Sequence, residues 1–214
     1  MKMKMFTSVT AAALGLAMVC ATPVSANLLT NPGFETTPLV DDGSGVGKWL
    51  PFGGSGVALP TQSATDTTSP LSGASHLSLQ LDNIANSFAG VFQDVGGLSA
   101  GQSLTWEGWT MDAGTDAGGA EVRIEWRDSV GDTEISRTGN LVPTLTAGVY
   151  TAWSLTDVVP AGADSARVVY AIQSFGAGPN QIHNVDDTSV TVVPEPASLA
   201  LLGLGAMAMM RRKA

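Results

Sequence analysis

The chain has one cysteine, two histidines, two tyrosines and only ten basic residues in 214. Each scarcity removes a class of function. A lone thiol, Cys20, cannot form a disulfide within the chain. The two histidines, His76 and His183, have no neighbours at metal-ligand spacing. No His-Glu-x-x-His, Gly-x-Ser-x-Gly or phosphate-loop pattern occurs, so no catalytic residues are expected. Ten bases against 19 acids leave a net charge of −9. That excludes nucleic acid as a partner, since neutralising phosphates requires clustered Lys and Arg. The apolar run at 197–210 has 14 residues, whereas a membrane-spanning helix needs about 20. With 44% apolar residues, the chain is nevertheless too hydrophobic to be disordered.

What is present falls into three segments. Lys2 and Lys4 precede a stretch of apolar and small residues from Val9 to Val19, and Val24-Ser25-Ala26 supplies the small residues a signal peptidase reads. Residues 1–26 are therefore expected to be a signal peptide, helical when engaged and cleaved after Ala26. Cleavage removes Cys20 and leaves a thiol-free body that must be held by its core, helped or not by a bound cation. At the other end, residues 194–214 run from Pro194-Glu195-Pro196 through the apolar stretch to Arg211-Arg212-Lys213. A 14-residue helix is only about 21 Å long, a marginal anchor suited to transient membrane attachment. The basic residues at both ends favour the cytoplasmic side, which places the body between them outside.

The body, residues 27–193, carries 18 acids and five bases, a charge of −13. Its 22 glycines cluster as turn punctuation between short alternating segments. Leu77, Leu79 and Leu81 alternate with His76, Ser78 and Gln80, which leaves His76 expected on a solvated face. Val122, Ile124 and Trp126 alternate with Arg123, Glu125 and Arg127, and Val168, Tyr170 and Ile172 repeat the pattern. About nine to eleven strands without a helix or internal repeat predict an all-β fold: an antiparallel β-sandwich of the jelly-roll kind, flanked by the signal helix and a C-terminal hydrophobic helix.

Two sets of residues also resemble known families. Val193-Pro194-Glu195-Pro196-Ala197-Ser198-Leu199, the apolar run and Arg211-Arg212-Lys213 resemble the PEP-CTERM sorting tail of Gram-negative bacteria. That resemblance implies an exosortase as processing partner, and a setting of exopolysaccharide and biofilm. Asn27 to Glu35 with Trp49, together with Val185 to Val190, resemble the opening and closing strands of carbohydrate-binding-module-like domains with a galactose-binding-type jelly roll. Thr188 departs from that pattern, where an aliphatic residue is usual, and puts the register of the last strand in question.

Two candidate sites follow. Glu35, near the first strand, and Asp186, near the last, match positions where such domains often carry calcium, and calcium takes hard oxygen ligands. Asp186 shares alternation parity with Val190 and Val192, so it is expected to point inward, where a carboxylate needs a partner or a metal. The competing reading is a turn-capping Asp186 beside a solvated Glu35. The second site is a glycan face: Trp109, Glu107 and Thr105 share the parity opposite to Leu104 and Trp106. An exposed indole beside a carboxylate suits a sugar, while a loop over Trp109 would make it structural. Arg123, Glu125 and Arg127 would add donors if they lay on the same sheet. The loop acids Asp41, Asp42, Asp112, Asp116, Asp128 and Asp132 match no EF-hand spacing and are expected to be solvated. Together these features lead to a non-enzymatic, exported protein of the cell surface or extracellular matrix that binds an extracellular polysaccharide. The alternative is a structural matrix protein with no sugar site.

Overall fold

The computed structural model describes residues 26–36, 49–54, 63–81, 87–114, 119–174 and 181–193. The expectations for 1–25 and 194–214, including both flanking helices, lie outside these residues, as do Asp41, Asp42 and Asp116. Ten strands follow in chain order: β1 (Leu50–Gly54), β2 (Ser63–Asp66), β3 (His76–Leu81), β4 (Phe88–Gly96), β5 (Ser103–Asp112), β6 (Gly119–Asp128), β7 (Thr133–Arg137), β8 (Thr151–Val158), β9 (Ser165–Gln173) and β10 (Gln181–Val193). They form two five-stranded sheets, β1-β4-β9-β6-β7 and β2-β3-β10-β5-β8. All pairings between these strands are antiparallel. The chain passes repeatedly from one sheet to the other, as in a jelly roll.

The alternation read from the sequence places the core. Leu77, Leu79 and Leu81 of β3, Leu104 and Trp106 of β5 and Val190 of β10 face Val122, Ile124 and Trp126 of β6 and Val168, Tyr170 and Ile172 of β9. Period-2 strands with one apolar face bury that face against the other sheet. Trp153 of β8 joins the layers: its ring lies edge-on to Trp106 at 4.9 Å and 5.9 Å from Tyr170, and its indole N–H donates to Thr110 Oγ1 at 2.9 Å.

Two sequence expectations are corrected here. His76 is fully buried rather than solvated, with Nε2 4.0 Å from Asp66 Oδ2. It opens an interior strand immediately after the 71–75 loop, which folds over that end of the sheet. Asp186 is buried, but on the opposite side from Val190. The pairing runs Asp186↔Trp109 and then Ser189↔Glu107, so β10 carries one extra residue, with Asp187 at a φ of 46°. A bulge of one residue reverses the parity beyond it. Thr188, the departure from the family pattern, lies inside this bulge and donates from both N and Oγ1 to Pro32 O, at 3.0 and 2.7 Å.

His183 of β10 is fully buried, 3.4 Å from the Tyr170 hydroxyl. Burial pushes its pKa down from 6.5 to about 4, against the opposing pull of Asp112. Between those values the unfolded chain binds a proton that the folded chain refuses. Stability present above pH 6.5 is therefore lost as pH falls toward 4, by an amount on the order of 3 kcal/mol. Urea denaturation at pH 7 and pH 4.5 checks this: His183→Asn is expected to flatten the fall, and an equally steep fall in the variant would remove His183 as its source.

Candidate functional site

The N-terminal segment docks along β10. Leu28 N donates to Val190 O at 2.8 Å, and Asn27 Oδ1 accepts from Val190 N at 2.9 Å. Asn31 and Phe34 both take positive φ, 52° and 57°, and so turn the chain sharply. The turn is fixed by the buried Phe34 ring against Trp49, with centroids 5.1 Å apart, and by Trp49 Nε1 donating to Asn31 O at 3.0 Å. It delivers Glu35 to the 71–75 loop. The Glu35 carboxylate accepts from Ala74 N at 3.0 and 3.2 Å and from Ser75 N at 3.4 Å. From β10, Asp186 Oδ2 accepts from Leu71 N at 2.9 Å and Ser72 N at 3.1 Å, while Oδ1 accepts from Asp187 N at 2.8 Å. Ser72 Oγ donates to Asp187 Oδ1 at 2.7 Å. The two carboxylates thus clasp one loop from opposite ends of the sequence. Gly73, at a φ of 61°, has its Cα against the Glu35 carboxylate, leaving no room for a Cβ.

Among the described residues, no three acidic or histidine side chains converge on a point where a metal ion could be held. Glu35 is exposed, and a Cβ placed on Gly33 would lie 3.7 Å from Glu35 Cγ, 3.8 Å from Asp187 Oδ1 and 3.9 Å from Asp186 Oδ1, so the three acids flank Gly33. Burial raises the Asp186 pKa above the usual carboxylate value, and the amides of Ser72, Asp187 and Leu71 only partly offset this. A buried carboxylate with that cost gains from a nearby positive charge. Asp186 Oδ2 and both Glu35 oxygens already hold loop donors, whereas Oδ1 holds only its neighbour's amide.

Beside the clasp lies the Trp109 face. Thr105, Glu107 and Trp109 point outward from β5, and Trp109 is 39% exposed. The Thr105 and Thr156 hydroxyls are 2.8 Å apart, and Ser189 Oγ donates to Glu107 Oε1 at 3.1 Å. Glu107, Trp109, Ala152, Trp153 and Asp187 border a hollow of about 280 Å³. Arg123, Glu125 and Arg127 do not add to it: they lie on β6, in the opposite sheet.

That opposite sheet carries a second hollow of about 270 Å³, which the sequence reading missed. The pairing of β1 with β4 sets Phe52 opposite Gly90 and Gly54 opposite Phe88. The two rings sit 6.1 Å apart, and Phe88 is 38% exposed. Gly90 is required there, because a Cβ would lie 2.6 Å from the Phe52 ring and from Tyr170 O. Arg123 stands 6.0 Å over Phe52 and donates from Nε to Glu125 at 2.8 Å, and Gln173 Nε2 donates to Glu121 Oε2 at 2.7 Å. Phe52 and Phe88 come from glycine-rich stretches with no alternation, so only their cross-strand register brings them together. Of the acids expected in solvated loops, Asp112 is instead buried as the last residue of β5, where it caps Gly114 N; Asp128 caps a turn at Val130 N, and Asp132 pairs with Arg127 at 2.7 Å.

Comparison with known proteins gives two findings. Residues 192–213 match the PEP-CTERM protein-sorting motif, which implies export and a surface or extracellular location. No curated protein matches the chain in sequence. Among solved structures, the fold is similar to TmCBM61 in complex with β-1,4-galactotriose (17% identity, TM-score 0.51, covering 78% of this chain and 98% of that one). It is similar to the CBM22-1 xylan-binding domain of Xyn10C from Paenibacillus barcinonensis (14%, TM-score 0.53, 79% and 96%). It is also similar to the enzymatically active domain of bacteriophage CBA120 tailspike protein 4 (13%, TM-score 0.60, 78%), of which this chain spans 21%. The body is thus a β-sandwich of the architecture used by carbohydrate-binding modules. No helix among the described residues is long and apolar enough to cross a membrane.

Proposed function

We propose that the protein is exported, trimmed by an exosortase at its PEP-CTERM tail, held in the membrane only transiently, and delivered to the cell surface or matrix, where its sandwich binds polysaccharide without catalysis. The observation that carries the reading is Trp109: a large indole left 39% exposed beside a hollow edged by Glu107 and Asp187. An indole face packs on the C–H face of a pyranose, and the flanking carboxylates accept its hydroxyls. Thr105, tied to Thr156, extends the polar edge of the same strand pair. The neighbouring galactotriose- and xylan-binding modules support the ligand class.

The test is a glycan array on residues 27–193, which contain every strand among the described residues, compared with Trp109→Ala. The variant is expected to bind about 30-fold more weakly, equivalent to roughly 2 kcal/mol for the loss of an aromatic anchor. Unchanged binding removes Trp109 from the site, and no binding by either protein leaves the structural matrix role.

The proposal extends to calcium held by Glu35 and Asp186, where it would supply the charge that stabilises the buried carboxylate. Saturating calcium, at about 100 times its Kd, adds roughly 2.7 kcal/mol. The thermal midpoint is then expected to rise by about 5–10 °C over a chelator-treated sample. An identical midpoint would mean that the loop amides alone satisfy the pair.

A further inference from the structure

We infer that the body is bivalent: the Phe52–Phe88 hollow is a second sugar site, selective for neutral glycan, so that one molecule bridges two polysaccharide chains. This rests on the glycan-binding reading of the Trp109 face but on a separate set of residues. Phe88, 38% exposed, and Phe52 offer an apolar platform. Around it, Arg123 spends Nε on Glu125, and Gln173 spends its amide N–H on one Glu121 oxygen. Among the described residues, the terminal Arg123 N–H groups, the second Glu121 oxygen and the Gln173 carbonyl have no hydrogen-bond partner. Each sugar hydroxyl both donates and accepts, so adjacent hydroxyls match donors and acceptors set side by side. Charge decides the sugar class. Among the described residues, Arg123 and Arg137 border the hollow together with Glu121, and both arginines are ion-paired, Arg123 with Glu125 and Arg137 with Glu134 and Glu125, which Arg127 also approaches at 3.6 Å. A uronate or sulfate would therefore find both arginines already paired and the Glu121 carboxylate beside them, whereas a neutral sugar needs no uncompensated cation.

The two hollows open on opposite sides of the molecule, one from β5 and β8, the other from β1, β4, β6 and β9. Two packed sheets about 10 Å apart, with their side chains between, separate them. Two occupied sites therefore imply two chains or two distant stretches of one, which is cross-linking.

The experiment uses residues 27–193 with soluble galactan, xylan and β-glucan as neutral probes and polygalacturonate as the acidic one. Calorimetry with short oligomers of these reads the number of sites, and turbidity or viscosity of the polymers reads bridging. The wild-type body is expected to bind two neutral oligomers and to raise viscosity. Phe88→Ala and Trp109→Ala are each expected to bind one oligomer and to lose bridging, and the double variant to bind none. Arg123→Gln, which leaves Glu125 paired with Arg127 and Arg137, is expected to weaken the second site at least 10-fold, so the proposal does not depend on Phe88→Ala folding. One site, lost in Trp109→Ala and unchanged in both Phe88→Ala and Arg123→Gln, overturns bivalency and leaves the Trp109 reading standing. One site lost only in Phe88→Ala and Arg123→Gln overturns both bivalency and the role of Trp109. Absence of binding in every arm overturns the glycan reading with it, and preference for polygalacturonate overturns the neutral selectivity.

Discussion

Asp186→Ala is expected to lower the unfolding free energy by about 4 kcal/mol, because it leaves three backbone amides without their acceptor. Leu71 N, Ser72 N and Asp187 N all point at the Asp186 carboxylate. With the oxygens gone, the 71–72 segment keeps only the Ser72 Oγ bond to Asp187 over β10, and Glu35 retains Ala74 and Ser75. Asp186→Asn is the informative partner. Its carbonyl can still accept from the loop, but its NH₂ group would face a backbone N–H, so a loss of about half the alanine value is expected. Urea denaturation of the three proteins measures both. A loss under about 1 kcal/mol in the alanine variant would mean that the loop is held elsewhere.

Trp153→Ala is expected to cost a similar amount, about 4 kcal/mol, within the usual range for truncating a buried tryptophan. The ring touches Trp106 in its own sheet and Tyr170 in the facing one, and it is hydrogen-bonded to Thr110. Gly108 is shaped to this ring: a Cβ there would lie 2.7 Å from Trp153 Cζ2. Because Trp153 also lines the Trp109 hollow, the variant is expected to lose sugar binding further than its stability loss explains. Denaturation and a glycan titration at a temperature where the variant remains folded separate the two effects. Full binding in the folded variant would show that Trp153 only supports the core.

Much of the sandwich was legible because its strands alternate. Val122-Arg123-Ile124-Glu125-Trp126-Arg127 shows period 2, and the structure buries the residues it marks as core, but it also buries Glu125 and Arg127 of the charged face, where they pair with each other and with Arg123, Asp132 and Arg137. Trp109 was assigned to the outer face by the same rule. Alternation fails at a bulge, and so parity counted back from Val190 points Asp186 to the wrong side, being off by the one inserted residue. His76 escaped for a different reason, since burial on a polar face depends on a loop that strand periodicity does not contain. The Phe52–Phe88 pair was hidden because register between distant strands is a property of pairing, not of either segment. A visible clue existed in Phe52-Gly53-Gly54 and Phe88-Ala89-Gly90: an aromatic two residues from a glycine in each, as flat cross-strand ring packing requires.

The docking of Leu28 on Val190 also fixes where the body can be held. It brings the start of the sandwich to within a few residues of Val193, the end of β10, so the two ends of the described body lie at one corner. Val193 pairs with Ser103, and Trp109 lies six residues further along β5, about 20 Å away at ordinary strand rise. A molecule tethered by either end hangs from a single point, with its tryptophan hollow carried well clear of the attachment.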